Sequence, residues 1–405
     1  MSTATPTDWQ TRPVPQTPQD WIARAAAVAA VLAIDAAERD RAGATPHAQI
    51  QLLKDSGLVT LLGPTEHGGA GQDWPTAYRV IREVAKADGS IGQLLGYHYL
   101  WNWAARLVGT REQWEHVEAE AAKGRWFFGG AVNPRDKDVV VTEDGDDLLF
   151  TGHKSFSTGS KVSDVTVLEG VFEGTDRHVF AIVPSDTEGL TFHDDWDNIG
   201  QRLTESGSVT LDRVRTPWAS AAGYVDKEFQ PRIYNTLNVP TIQLVFVSFY
   251  LGIAAGALET AATYTRTKAR SWLHGGYERA VDEPYVIDTY GDLTAKLWAV
   301  EALADAVAAE GQKLHEYPDA VTEQTRGDFE VRVAAVKARA TDVALEIGNR
   351  IFEVTGARST AGAEGLDRFW RNIRTHSLHD PVAYKRREVG RWVLEGELPE
   401  PTWYS

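Results

Sequence analysis

Between Trp21 and Lys123 the apolar residues return at intervals of three and four, as in "WIARAAAVAAVLAIDAAERDRA", and that period predicts amphipathic helices. "GPTEHGGAGQDWP" interrupts the pattern. Its glycines suggest a phosphate cradle, but no strand is predicted before them and the lysine of a nucleotide-binding loop is missing, so a turn between helices is expected. Near Arg125 the texture changes to short β-branched and aromatic runs separated by turn residues: "WFFGGAV", "DVVVTEDGDDLLFTG", "DVTVLEGVFEG", "HVFAIVP", "SGSVTLDRV". After "FQPRIYN" the helical period resumes, and Gly356 is suited to cap the helix containing "FEVRVAAVKARATDVALEIGNRIFEVTG". The predicted organisation is a flexible arm over residues 1–20, a helical domain over 21–124, a β domain over 125–232, and a helical bundle with a C-terminal tail over 233–405.

Composition narrows the function. A chain of 405 residues with 43% hydrophobic content can bury a large core in two or three packed units. The formal charge of −16 argues against nucleic acid or an anionic membrane as partner, because both need a basic surface. With no cysteine there is no disulfide, thiolate nucleophile or cysteine-bound metal, so redox chemistry would need a bound cofactor. The opening "MSTATPTDWQTRPVPQTPQDW" lacks the basic and apolar regions of a signal peptide, and a cytoplasmic location is expected. "LVFVSFYLGIAAGAL", Leu244 to Leu258, is read as a buried bundle helix too short for a comfortable membrane crossing.

The order helical, β, helical and five local segments together resemble the acyl-CoA dehydrogenase superfamily. "GPTEHGGAG" resembles its first-domain loop, "FFGGAVNP" and "GHKSFSTGS" the two β-domain segments beside the flavin ring, and "RTKARSW" and "FEVTGAR" its two flavin-phosphate segments. The resemblance implies an α+β fold with an N-terminal helical domain, a middle β-barrel and a C-terminal four-helix bundle that forms a homotetramer. A dehydrogenase of this kind also needs a carboxylate base. At the most familiar base position stands Ala363, with Glu364 one residue off. Longer blocks, "IREVAKADGSIGQLLGYH", "DDWDNIGQRLTESGS" and "DRFWRNIRTHSLHDPVAYK", resemble instead the flavin-dependent monooxygenase branch, and within it the dibenzothiophene-oxidising enzymes. That branch implies reduced FMN from a separate NAD(P)H-dependent flavin reductase, dioxygen, a hydroperoxyflavin, and oxygen transfer to an aromatic or heteroaromatic sulfur compound. The alternatives are an FAD-dependent acyl-CoA dehydrogenase, or an N-oxygenating or ring-hydroxylating relative.

The resemblance also assigns residues. His379 is expected to hold the reactive oxygen adduct, with His376 beside it or fixing its loop, since an imidazole titrating near neutral pH can donate a hydrogen bond and return a proton. A pair that merely pins the loop beside Asp380 is the plain alternative, and a zinc site lacks a third ligand at fitting spacing. Phe156 and Thr158 are expected at the flavin ring, with the Thr158 hydroxyl also expected in catalysis, holding the reactive adduct; Trp196 is expected near the ring on the β side, and Arg270 and Arg358 at the flavin phosphate, from different subunits. Arg358 replaces a glycine where the adenosine half of FAD would run, which favours FMN. Gly130 stands where the branch has asparagine, so Asn133 or a backbone N–H would take over that cofactor contact. Tyr97 is expected in catalysis and in binding a flat aromatic substrate, together with His98, Trp101 and Phe246, with Trp103 near the same lid.

Overall fold

The computed structural model describes residues 9–133 and 137–402. Pro134, residues 1–8 of the arm and the end of the tail lie outside the described residues. Six helices come first: α1 (Pro18–Leu32), α2 (Ala36–Ala42), α3 (His47–Asp55), α4 (Trp74–Ala87), α5 (Gly89–Val108) and α6 (Arg111–Gly124). Their starts are written in local side-chain chemistry. Thr17 and Asp20 form a reciprocal capping box on α1 with Pro18 in its first turn, Asp73 caps α4, and Asp88 accepts from the N–H groups of Ser90 and Ile91 to open α5. The described end of the arm is anchored rather than free. Trp9 is buried, with the Arg12 and Arg24 guanidinium groups 4.5 and 5.4 Å from its ring centre.

The middle of the chain is a curled seven-stranded sheet. Its strands are β1 (Phe128–Ala131), β2 (Val139–Asp144), β3 (Asp147–Lys154), β4 (Val165–Phe172), β5 (His178–Pro184), β6 (Leu190–Phe192) and β7 (Val209–Pro217), followed by a small hairpin, β8 (Tyr224–Val225) and β9 (Glu228–Phe229). Strand β4 is the hub. Both β1 and β2 pair with it in parallel, and β5 pairs with it in antiparallel fashion. All eight residues of β4 are buried, as expected of a strand enclosed on both faces.

The remaining helices are α7 (Asn238–Thr267), α8 (Pro284–Glu316), α9 (Glu323–Thr355), α10 (Asp367–His376) and α11 (Val382–Glu395). Helix α7 runs well beyond the apolar stretch that signalled it, and by length and composition it could cross a membrane. It does not lie at a surface: 94% of its most apolar window is buried, against α4, α5 and α9. Helix α9 ends at Thr355, where Gly356 adopts φ 76°. One apolar core joins the first helices to α7–α9 and reaches Phe127 and Phe128 at the start of the sheet; a second lies inside the sheet.

Candidate active site

The helical domain, sheet and bundle meet around a cavity of about 1110 Å³. Helix α5 supplies Gln93, Tyr97 and Trp101, which fall four residues apart and so share one face. Helix α7 supplies Gln243 and Phe246. The end of α10 and the turn after it supply His376, His379 and Asp380. The opposite wall comes from the sheet: Phe156 and Thr158 after β3, and Trp196, Gln201 and Ser206 before β7.

The two histidines are stacked, with ring planes 6° apart and centres 5.4 Å apart. His376 is the inner ring. Its Nδ1 lies 2.7 Å from the Tyr250 hydroxyl and its Nε2 lies 3.0 Å from the Tyr97 hydroxyl. His379 is the outer ring: it lines the cavity, and 42% of its side chain is accessible. Its Nδ1 is 3.4 Å from Asp380, whose carboxylate contacts the buried Lys337 ammonium and accepts from Gln243 Nε2 at 3.2 Å. Phe246 packs edge-on against both imidazoles and is stacked on Tyr97.

The electrostatics correct the expectation of an imidazole titrating near neutral pH. Burial first, and the Lys337 charge second, push His379 down to about 4. His376 is held well below its ordinary value by burial, then by His379 and Lys337. Both are neutral around pH 7, so they are hydrogen-bonding groups with one N–H and one lone pair each.

On the sheet side Phe156 is 63% exposed, its ring edge-on to Trp196 at 6.2 Å. Thr158 donates to or accepts from Ser206 at 2.8 Å, and Ser206 continues to Thr204 at 2.8 Å. Phe156 and Gln201 both have positive φ, 60° and 53°, which is uncommon for residues with a side chain and marks two cavity-lining positions held under strain. Gln201 is almost completely buried, and neither polar atom of its side-chain amide has a hydrogen-bond partner among the described residues. An unpaired amide beside an exposed aromatic face suits a planar heterocycle that carries both donors and acceptors. A flavin ring is such a group.

Several sequence expectations need correction or relocation. His98 is fully buried and does not line the cavity: its Nε2 lies 2.7 Å from the Val59 carbonyl and its Nδ1 accepts from the Phe128 N–H at 3.0 Å. It pins α5 to the first strand and has no group left for a substrate. Gly130 also lies off the cavity, because the Trp101 indole covers it; a Cβ there would fall 2.5 to 2.8 Å from three indole atoms. Asn133 does line the cavity, while its backbone N–H and C=O face Glu169 and Lys154. Trp103 packs instead on Trp74 and His315. Arg270 and Arg358 are exposed outside the cavity, close together because Arg358 donates to the Lys268 carbonyl. Glu364, the carboxylate nearest the usual dehydrogenase position, is paired with Lys268 rather than lining the cavity.

Sequence reasoning missed Tyr250, Gln201, Ser206 and Lys337. Tyr250 and Lys337 sit in long helical patterns that read as ordinary helix faces. "GQRLTESGS" lies in a block that resembles the monooxygenase branch, but nothing in its period singles out Gln201 as strained.

Family models for the N-terminal and C-terminal domains of acyl-CoA dehydrogenase match residues 22–125 and 244–383. The chain belongs to the acyl-CoA dehydrogenase family. Within it, the chain is 40% identical to a dibenzothiophene monooxygenase of Rhodococcus erythropolis, with all of both chains covered. The structure of a dibenzothiophene monooxygenase from Paenibacillus sp. A11-2 superposes with a TM-score of 0.90 at 40% identity, covering 96% of this chain and all of that one, and the same protein is known in complex with FMN and indole. A methanesulfinate monooxygenase from Pseudomonas fluorescens matches with a TM-score of 0.92 at 39% identity, covering 95% and 99% of the two chains.

Proposed function

We propose that this chain is the oxygenase of a two-component system that takes reduced FMN from a separate flavin reductase and uses dioxygen to oxygenate a small aromatic or heteroaromatic sulfur compound. The observation that carries the reading is the pairing of two walls: neutral His379 and Tyr97 face Phe156, Trp196 and the unpaired Gln201 amide across one cavity. The relatives with solved structures support the sulfur chemistry and the flavin type. Phe156, Trp196, Thr158 and Gln201 would hold the ring, and Arg270 and Arg358 would take the phosphate where two copies of the chain meet, in a homotetramer. Reduced FMN, when bound, supplies the two electrons that activate dioxygen.

The residues of this chain do the rest. Phe246, Tyr97 and Trp101 form one aromatic wall against which a flat substrate can lie, and they exclude water, which protects a reactive oxygen species from loss as peroxide. His379 offers one N–H or one lone pair at the cavity surface, so it can donate to a negatively polarised oxygen and take back a proton after transfer. Asp380, held by Lys337 and Gln243, fixes the turn that carries it. A dehydrogenase reading finds no uncommitted carboxylate at the cavity among the described residues: Asp380 is paired with Lys337 and Asp176 with Lys137, while Glu364 lies off the cavity, paired with Lys268.

Isotopic dioxygen tests the class. With reduced FMN and dibenzothiophene, one labelled oxygen should appear in the product; turnover of an acyl-CoA with an artificial electron acceptor and no dioxygen would defeat the assignment. His379→Ala should leave FMN binding nearly intact while oxygenation falls by roughly 10²–10³ and peroxide release rises. Unchanged coupling would reduce His379 to a loop anchor.

A further inference from the structure

Tyr250 belongs to α7, one layer behind the cavity, and no motif pointed to it. Its side chain is fully buried, and among the described residues its hydroxyl has a single hydrogen-bond partner, His376 Nδ1 at 2.7 Å. A buried phenol must place its hydrogen on an acceptor, because an unmet donor in a dry interior costs more than a net hydrogen bond returns. The acceptor is therefore the Nδ1 lone pair. A neutral imidazole with a lone pair on Nδ1 carries its hydrogen on Nε2, and Nε2 faces the Tyr97 oxygen at 3.0 Å. Tyr97 then accepts from His376, so its own hydrogen is directed elsewhere, and Tyr97 lines the cavity.

The ring cannot evade this by turning over. Phe249 stands at 89° to the imidazole plane with centres 4.7 Å apart, Phe246 stands at 67° and 4.5 Å, and His379 lies flat on its face. Protonation to a cation is opposed by burial, with the Lys337 charge nearby.

We propose that Tyr250 is a positioning residue: it fixes His376 as the Nε2–H tautomer and thereby makes the hydroxyl of the cavity-lining Tyr97 the acceptor of that bond, leaving its hydrogen as the donor at the end of the chain. The chain of bonds runs one way, from Tyr250 through His376 to Tyr97. Links in such a chain polarise one another, so the Tyr97 hydroxyl is a stronger donor than an isolated phenol. The purpose of that donor rests on the oxygenase reading above; the direction of the chain does not.

Two measurements test it separately. Neutron diffraction on the perdeuterated full-length protein, without substrate, should show deuterium on His376 Nε2 and none on Nδ1; deuterium on Nδ1 overturns the proposal whatever the enzyme's reaction. The second is a double-mutant cycle on oxygenation of dibenzothiophene with reduced FMN. Tyr250→Phe removes one oxygen atom and should lower kcat about two- to tenfold with KM little changed. In a Tyr97→Phe background the same change should have no further effect, since Tyr250 acts only through Tyr97. An equal loss in both backgrounds would make Tyr250 a packing residue and overturn the proposal. If the neutron result holds but no isotopic oxygen enters product, the tautomer assignment stands and the functional reading falls.

Discussion

Acidification should expose the cost of the buried imidazoles. His98 and His315 are both buried and neutral in the folded chain, with pKa values pushed by burial from 6.5 down to about 4 and about 3. His98 must stay neutral because its Nδ1 accepts from a backbone N–H. His315 faces Tyr234 and Thr241 with its two nitrogens, each at 3.2 Å. In the unfolded chain both regain an ordinary pKa, so between the folded and unfolded values the unfolded state binds more protons. The stability contribution is therefore full above pH 6.5 and is lost as the pH falls toward the folded values. From pH 7 to 5.5 each histidine should remove about 1.2 kcal/mol, or roughly 2.5 kcal/mol for the pair, with His376 adding a loss of the same sign. Urea unfolding followed by the fluorescence of the fourteen tryptophans, at both pH values, measures the difference. A His315→Gln variant, which cannot titrate, should lose about 1.2 kcal/mol less than the parent over the same pH interval. An unfolding free energy that is equal or higher at pH 5.5 would refute the argument that these rings are neutral in the fold.

Gly130→Ala should push the Trp101 indole toward the cavity and destabilise the protein by about 1–3 kcal/mol, read as a lowered Tm, with Trp101→Phe in the same chain recovering part of it. Lys337→Met leaves the Asp380 carboxylate buried with its amide partner Gln243 but no cation, at a cost of about 3 kcal/mol in urea unfolding, and Asp380→Asn in that background should return some of the loss. Arg358→Ala should weaken FMN by about 1.5–3 kcal/mol in calorimetry and leave riboflavin affinity unchanged; equal losses for both would remove the arginine from the phosphate.

The order of helices and strands was legible in the chain because periodicity is a local property. Runs such as "DVTVLEGVFEG" and the capped start at Thr17 announce their conformation within a few residues. The histidine pair was also visible, since three-residue spacing at a helix end brings His376 and His379 together whatever surrounds them. What surrounds them was not. Tyr97, Tyr250, Lys337 and Gln201 come from four distant segments, and their meeting depends on how the bundle closes on the sheet. The neutrality of His379 follows from burial and from Lys337, neither of which a one-dimensional pattern contains. His98 shows the limit most plainly: it lies beside Tyr97 in sequence, yet the turn of α5 sends one ring to the cavity and the other to the backbone of the first strand. Sequence can name the residues able to do the chemistry, but a hydrogen bond needs partners, and only the folded packing decides which groups are left without one.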